Sequence, residues 1–232
     1  SNKLLATLEG TRDLSGAKDL NTLRRAVCYA FADCNSLTSL PDNLFYGCGE
    51  VTDFGACFYG CDALVSLPDD LFAYSPKATY FYNTFYYCDD LKSLPGKLFA
   101  STDARNFSCC FENCSSLTSL PADLFAGCTE ATSFSSCFAN CQNLTSLPAA
   151  LFSDCEYASN FNSCFTSCYD LTTVPVSIFD NNKVNATLFF SIALLFSTPC
   201  TNSAYVTEEI QISDGLCSCK RIKTCSGLCL IE

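Results

Sequence analysis

Apolar positions recur along this chain with a long, fixed period. The motif Leu-x-x-Leu-Pro stands at Leu37 to Pro41, Leu64 to Pro68, Leu91 to Pro95, Leu117 to Pro121 and Leu144 to Pro148, and returns as Leu171-Thr172-Thr173-Val174-Pro175. Its prolines step by 27, 27, 26, 27 and 27 residues. A period of this length is the mark of a solenoid, in which each unit buries its apolar face only against its neighbours.

Within one unit the apolar spacing predicts short elements. Leu124, Phe125 and Cys128 fall at i, i+1 and i+4, and Cys137, Phe138 and Cys141 repeat that spacing, as one face of a helical turn does. Pro121 suits the first turn of the first such helix, and Ser135 and Ser136 suit the cap of the second. Leu117 to Leu120 predicts a short strand with its leucines inward and Thr118-Ser119 toward solvent. Such strands stack at about 4.8 Å, one per coil, into a parallel sheet.

The inward positions are repeated faithfully. Leu-Phe recurs as Leu44-Phe45, Leu71-Phe72, Leu98-Phe99, Leu151-Phe152 and Ile178-Phe179. Phe54, Phe81, Phe107, Phe134 and Phe161 share one position, and Phe31, Phe58, Phe85, Phe111, Phe138 and Phe165 another. These predict phenylalanine ladders through the core. Cysteine forms three further ladders: Cys34, Cys61, Cys88, Cys114, Cys141 and Cys168; Cys57, Cys110, Cys137 and Cys164; and Cys48, Cys128 and Cys155. Ser75, Thr84 and Thr102 replace cysteine at equivalent sites, which fits a small buried side chain better than an obligate disulfide or metal ligand. Inter-coil disulfides and a metal site remain the alternatives. Secretion favours the former, while many unpaired thiols favour a reducing setting.

Composition narrows the chemistry. Histidine is absent, which removes Ser-His-Asp and Cys-His nucleophile arrangements and any histidine metal site. The acidic pairs Asp69-Asp70 and Asp89-Asp90 are the nearest approach to acid/base carboxylates, and they read as solvated charge, so no enzyme and no cofactor is expected. A net charge of −11 with no basic stripe argues for no nucleic acid partner and no docking on anionic membranes. The longest apolar run, Leu188 to Phe196, is about half of what a span needs, so no membrane insertion is expected. No signal-peptide pattern opens the chain, and Ser1-Asn2-Lys3 reads as a trimmed end.

The combination Cys-Phe-x-x-Cys-x-x-Leu-Thr-Ser-Leu-Pro, repeated in register over residues 27 to 182, resembles the BspA-like leucine-rich repeats of Bacteroides surface proteins. The resemblance implies an α/β repeat solenoid of leucine-rich-repeat type: six coils, each with a short parallel β-strand and one or two short helical turns. It also implies a secreted or cell-surface bacterial protein used for adhesion, whose partner is an extracellular protein or glycan. On this division, residues 1–26 are an N-terminal cap or degenerate first coil, 27–182 the solenoid, and 183–232 a divergent C-terminal segment. That last segment reads as irregular; its basic, cysteine-dense part from Cys217 to Cys229 has thiol spacing unlike the usual paired zinc pattern. The third coil is aromatic beyond what the ladders need, and Tyr74, Tyr80, Tyr82 and Tyr86 are the candidate ligand-binding residues. A structural spacer within a larger surface protein, with no ligand of its own, is the competing reading.

Overall fold

The computed structural model describes residues 27–179, 181, 209–213 and 216–220. From Val27 to Phe179 the chain winds as a right-in-register stack of coils, yet it contains almost no regular helix or strand. The reason lies in how backbone N–H groups are shared out. Along the segment that begins at Phe54, the amides of Phe54, Ala56, Phe58 and Gly60 donate to Tyr80, Tyr82, Thr84 and Tyr86 of the next coil, at 2.8 to 2.9 Å. The amides of Cys57, Tyr59 and Cys61, between them, donate three residues back to Phe54, Ala56 and Phe58. The same alternation repeats from Phe81, Phe107 and Phe134. Every second donor thus closes a turn and every other one ties two coils, so both kinds of backbone group are satisfied without a helix.

The expected second helical turn is therefore replaced by a ribbon of turns. Ala56, Asn83, Cys109, Ser136 and Ser163 all have φ between 53° and 56°. The residues four positions on, Gly60, Tyr87, Asn113, Asn140 and Ser167, have φ of 59° to 65°. A positive φ at the third residue is what a type II turn requires, and it stops an α-helix. Consecutive turns still bring positions i, i+3 and i+4 inward, which is why Phe54, Cys57, Phe58 and Cys61, all 0% exposed, mimic helical spacing in the sequence. The segment after each proline behaves more as expected: Leu71, Leu124, Leu151 and Ile178 donate back to Pro68, Pro121, Pro148 and Pro175, and in the last coil this becomes a 3-10 turn at Val176–Phe179.

The strand is also displaced. Parallel bridges run through Asp53, Tyr80, Asn106, Ser133 and Asn160, just before the first phenylalanine of each unit. At Leu-x-x-Leu the described bridge is Ser146 with Thr173. In that segment Leu117 and Leu120 are both buried while Thr118 and Ser119 are both exposed. Two outward residues between two inward ones break the alternation that a pleated strand demands.

Three phenylalanine columns fill the core. Rings stack coil on coil at 5.1 to 5.6 Å in the Phe31 column, 5.2 to 5.7 Å in the Phe54 column and 5.6 to 5.9 Å in the Phe45 column. Rings of the Phe45 and Phe54 columns also meet edge to face, as Phe99 and Phe107 do at 4.8 Å. Both geometries suit the ring quadrupole. The cysteines line these columns. Cys61, Cys88, Cys114, Cys141 and Cys168 each donate a thiol hydrogen to the carbonyl of a phenylalanine in the preceding coil, at 3.1 to 3.3 Å. Thr84 makes the same kind of bond to Phe54 O at 3.1 Å, which explains its substitution for cysteine. Ser75 does not manage this, and its hydroxyl is buried without a hydrogen-bond partner.

Residues 1–26 lie outside the described residues, as do most of 183–232. Within the latter, β1 (Glu209–Ser213) and β2 (Leu216–Lys220) pair antiparallel, Glu209 opposite Lys220.

The turn ribbon makes a sharp prediction at Ser136, where φ is 53° and the amide donates to Asn162 O at 2.8 Å. Ser136→Pro loses that donor and needs a negative φ, so it should cost about 3 kcal/mol or more. Ser136→Gly relieves the left-handed backbone and should lie between neutral and about 1 kcal/mol stabilising. Urea midpoints measure both, and a strongly destabilising glycine would refute the turn assignment.

Candidate functional site

The double-turn ribbon positions the tyrosines. Between the inward phenylalanines and cysteines, each coil sends two residues outward per turn, and in parallel coils equivalent residues lie directly over one another. Tyr59 and Tyr86 occupy one such position in successive coils. Their rings stack at 5.1 Å with planes 7° apart. Tyr87 stands across the end of that pair, 4.7 Å from Tyr86 and 6.5 Å from Tyr59, with planes near perpendicular to both. It is 43% exposed.

The four tyrosines expected from the sequence do not form one site. Tyr86 belongs to this cluster. Tyr82 lies on the same ribbon but is half-buried over Gly55, where a Cβ would sit 2.3 Å from its ring, so glycine makes room for it. Tyr80 occupies the bridge position and is exposed; Asp53 and Asn106 at that position use their side chains to accept from Gly55 N and Ser108 N at 2.9 Å, a bond that a phenol on this stem does not supply. Tyr74 lies apart, in the loop after Leu71-Phe72, paired with Tyr46 at 5.1 Å. Tyr59 and Tyr87, which complete the cluster, are not among the four residues expected from the sequence. The signal was available: Tyr59 stands 27 residues before Tyr86, the repeat period, so the two had to stack.

Carboxylates frame the cluster. Asp33 N–H donates to Tyr59 O, Gly60 N–H to Tyr86 O and Tyr87 N–H to Glu112 O, so Asp33, Tyr59, Tyr86 and Glu112 follow one another across four coils. The Asp33 carboxylate rests on Gly60, 2.7 Å from where a Cβ would be. Alongside, Asp90 N–H donates to Asp62 O. Partial burial, then Asp62 and Asp90, push the Asp89 carboxyl up. Burial first, then Glu112 and the neighbouring tyrosines, push the Tyr86 phenol up to about 12, so it is a neutral donor at physiological pH. Asp89 and Asp90 are exposed, as is Asp69.

Burial also holds the ladder thiols protonated. It pushes Cys57, Cys88, Cys110, Cys114, Cys137, Cys141 and Cys164 well up, and Cys61, Cys128 and Cys168 up to about 12. The fifteen cysteines from Cys28 to Cys168 are thiols in this structure. Among the described residues no three metal-ligating side chains converge. The side chains of Cys217, Cys219, Cys225 and Cys229 lie outside what is described. No described helix is long and apolar enough to cross a membrane.

No family model and no curated protein matches this chain. Among solved structures it is similar to a chain of the Toll–Spatzle complex of Drosophila, at 22% identity and TM-score 0.34, over 63% of this chain and 21% of that one. It is also similar to a leucine-rich repeat protein from Bacteroides ovatus, at 17% identity and TM-score 0.29, over 65% of this chain and 46% of that one. The chain therefore spans less than half the length of either. The assignment of a repeat solenoid rests on the coil-to-coil hydrogen bonds and ring columns described above.

Proposed function

We propose that this array is a non-enzymatic protein-binding module, of the BspA-like leucine-rich-repeat kind that its motif resembles, acting at a cell surface or after secretion. One observation carries the reading. Tyr59, Tyr86 and Tyr87 gather on the outer side of the turn ribbon, where the fourth to sixth coils carry Glu112, Asn113, Ala139, Asn140, Thr166 and Ser167 at the same positions. Elsewhere these repeat positions hold small or polar residues, so the fold has no packing need for three aromatic rings there, and clustered tyrosines are favoured contact residues. The facing sides of Tyr59 and Tyr86 cover each other, and clustered rings that also carry hydroxyls suit a protein surface.

The test is a binding screen of the purified chain against matrix proteins, mucins and glycans, with a Tyr86→Ala/Tyr87→Ala variant alongside and circular dichroism as the control for folding. A protein hit weakened at least tenfold in the variant is the expected result, on the order of 1.4 kcal/mol. A hit that the variant retains would move the site elsewhere. The uniform exposed pairs Thr118-Ser119, Thr145-Ser146 and Thr172-Thr173 favour the second reading, a spacer with no ligand, and a blank screen with folded protein would support that.

A further inference from the structure

We infer that the tyrosine cluster docks an arginine-rich protein segment. The inference rests on the protein-binding reading above and names the chemistry of the partner. Three observations lead to it. The first is the cluster itself, Tyr59, Tyr86 and Tyr87, tied across adjacent coils and partly open to solvent.

The second is the sign of everything around it. Asp33 and Glu112 bracket the tyrosines along the stacking direction, and Asp62, Asp89 and Asp90 lie alongside on the next outward positions. Between residues 27 and 179 there are sixteen aspartates and glutamates against four cations, Lys77, Lys92, Lys97 and Arg105. Lys77 pairs with Glu50 at 2.7 Å and Arg105 with Glu130 at 3.4 Å, both away from the cluster. Lys92 and Lys97 belong to the Leu-x-x-Leu-Pro segment and the turn after it. The named groups that act on the Asp89 carboxyl and the Tyr86 phenol are carboxylates, phenols and a thiol, all holding the proton on. The array is thus more acidic than the whole chain, and the cation nearest to the tyrosine face in sequence is Lys92, two residues past Asp90.

The third is a match of chemistry. A guanidinium stacks on a phenol ring and donates in a planar fork to carboxylates, and it is more weakly hydrated than an ammonium, so a face of phenols ringed by carboxylates suits arginine above lysine. The rigid coil stack holds these groups in place before the partner arrives, which lowers the ordering cost of binding.

The experiment titrates the purified chain into fluorescently labelled oligoarginine, oligolysine and oligoglutamate peptides of equal length, read by anisotropy at low and at physiological salt. Oligoarginine is expected to bind saturably and at least threefold more tightly than oligolysine, with oligoglutamate not binding. Tyr86→Ala/Tyr87→Ala should weaken oligoarginine about tenfold, and Asp89→Asn/Glu112→Gln by a similar factor, through lost cation–π and charge-assisted contacts. Tyr157→Ala, an exposed tyrosine at another position, should change nothing. Equal binding by the wild type and the tyrosine variant would overturn the proposal, because only the net charge would then be acting. No oligoarginine binding would overturn it too. In that case a tyrosine-dependent hit on a neutral or acidic protein in the wider screen would leave the binding-module reading standing, and the lack of any such hit would remove both.

Discussion

Raising the pH from about 9 toward 12 is expected to unfold this protein cooperatively. The ladder thiols are neutral in the core, where burial pushes Cys48 up to about 11 and Cys61, Cys128 and Cys168 up to about 12, with nine further thiols raised as well. In the unfolded chain the same thiols ionise at about 8.5. Between those limits the unfolded state has lost protons that the folded state keeps, so the unfolded state binds fewer and stability falls as pH rises. Below the unfolded value the thiols contribute their full stability. Above the folded value each would have to bury a thiolate among phenylalanines, which the core does not tolerate. Because many thiols share the shift, the fall should be steep. Far-ultraviolet circular dichroism and thiolate absorbance, followed together through the titration, check it. Coincident transitions are expected. Thiolate absorbance that rises near pH 9 with the fold unchanged would show that the thiols are not buried as described.

The second large effect is expected at Phe107. This ring is fully buried, stacks between Phe81 at 5.7 Å and Phe134 at 5.2 Å, and meets Phe99 edge on and Phe125 at a tilt, both at 4.8 Å. Phe107→Ala removes contacts with three coils at once and leaves a cavity that stacked backbones cannot collapse into, so a loss of about 3 to 5 kcal/mol follows. In a linear array, where each unit is held only by its neighbours, a central defect should also uncouple the two halves. Urea unfolding of the variant is expected to show a lowered midpoint and a broadened or split transition. A midpoint within about 0.5 kcal/mol of wild type would contradict the column packing.

The repeat, its ring columns and its cysteine ladders were legible because each depends on spacing alone. Phe54 and Phe81 had to superpose once the period was known. The turn ribbon was not legible, because a φ near 55° at Ala56, Cys109 or Ser136 has no glycine to announce it. The later turn left a faint trace in Gly60, Asn113 and Asn140, residues that accept that backbone more easily. The strand was legible only in part: Ser146 bridges Thr173 within Leu-x-x-Leu, but burial there runs in, out, out, in, and the longer run of bridges lies just before the first phenylalanine of each unit. Of the candidate residues, Tyr86 joins a ring cluster with Tyr59, one period away, and Tyr87 beside it. Tyr74 lies near it in sequence, but coils gather residues one period apart, and Tyr74 meets Tyr46 instead.

The alternating amides described above give the stack a direction. Along the turn ribbon the amides of one coil reach forward to the next, as from Phe58 to Thr84, while at Leu-x-x-Leu they reach back, as from Lys92 to Val65. A terminal coil of such a stack would offer bare donors on one arc and bare acceptors on the other, a pattern that only another copy in the same orientation completes. Length can then change by duplication or loss of whole units with every bond restored, whereas inserting a single residue in the ribbon would exchange turn-closing and coil-tying amides throughout the unit. The 26-residue unit obeys this rule: its missing residue falls between Thr102 and Ala104, outside the ribbon, and Phe81, Asn83, Phe85 and Tyr87 still donate to the coil that follows. Variation in this architecture is therefore quantised, with the number of coils free to drift and the phase within each coil held fixed.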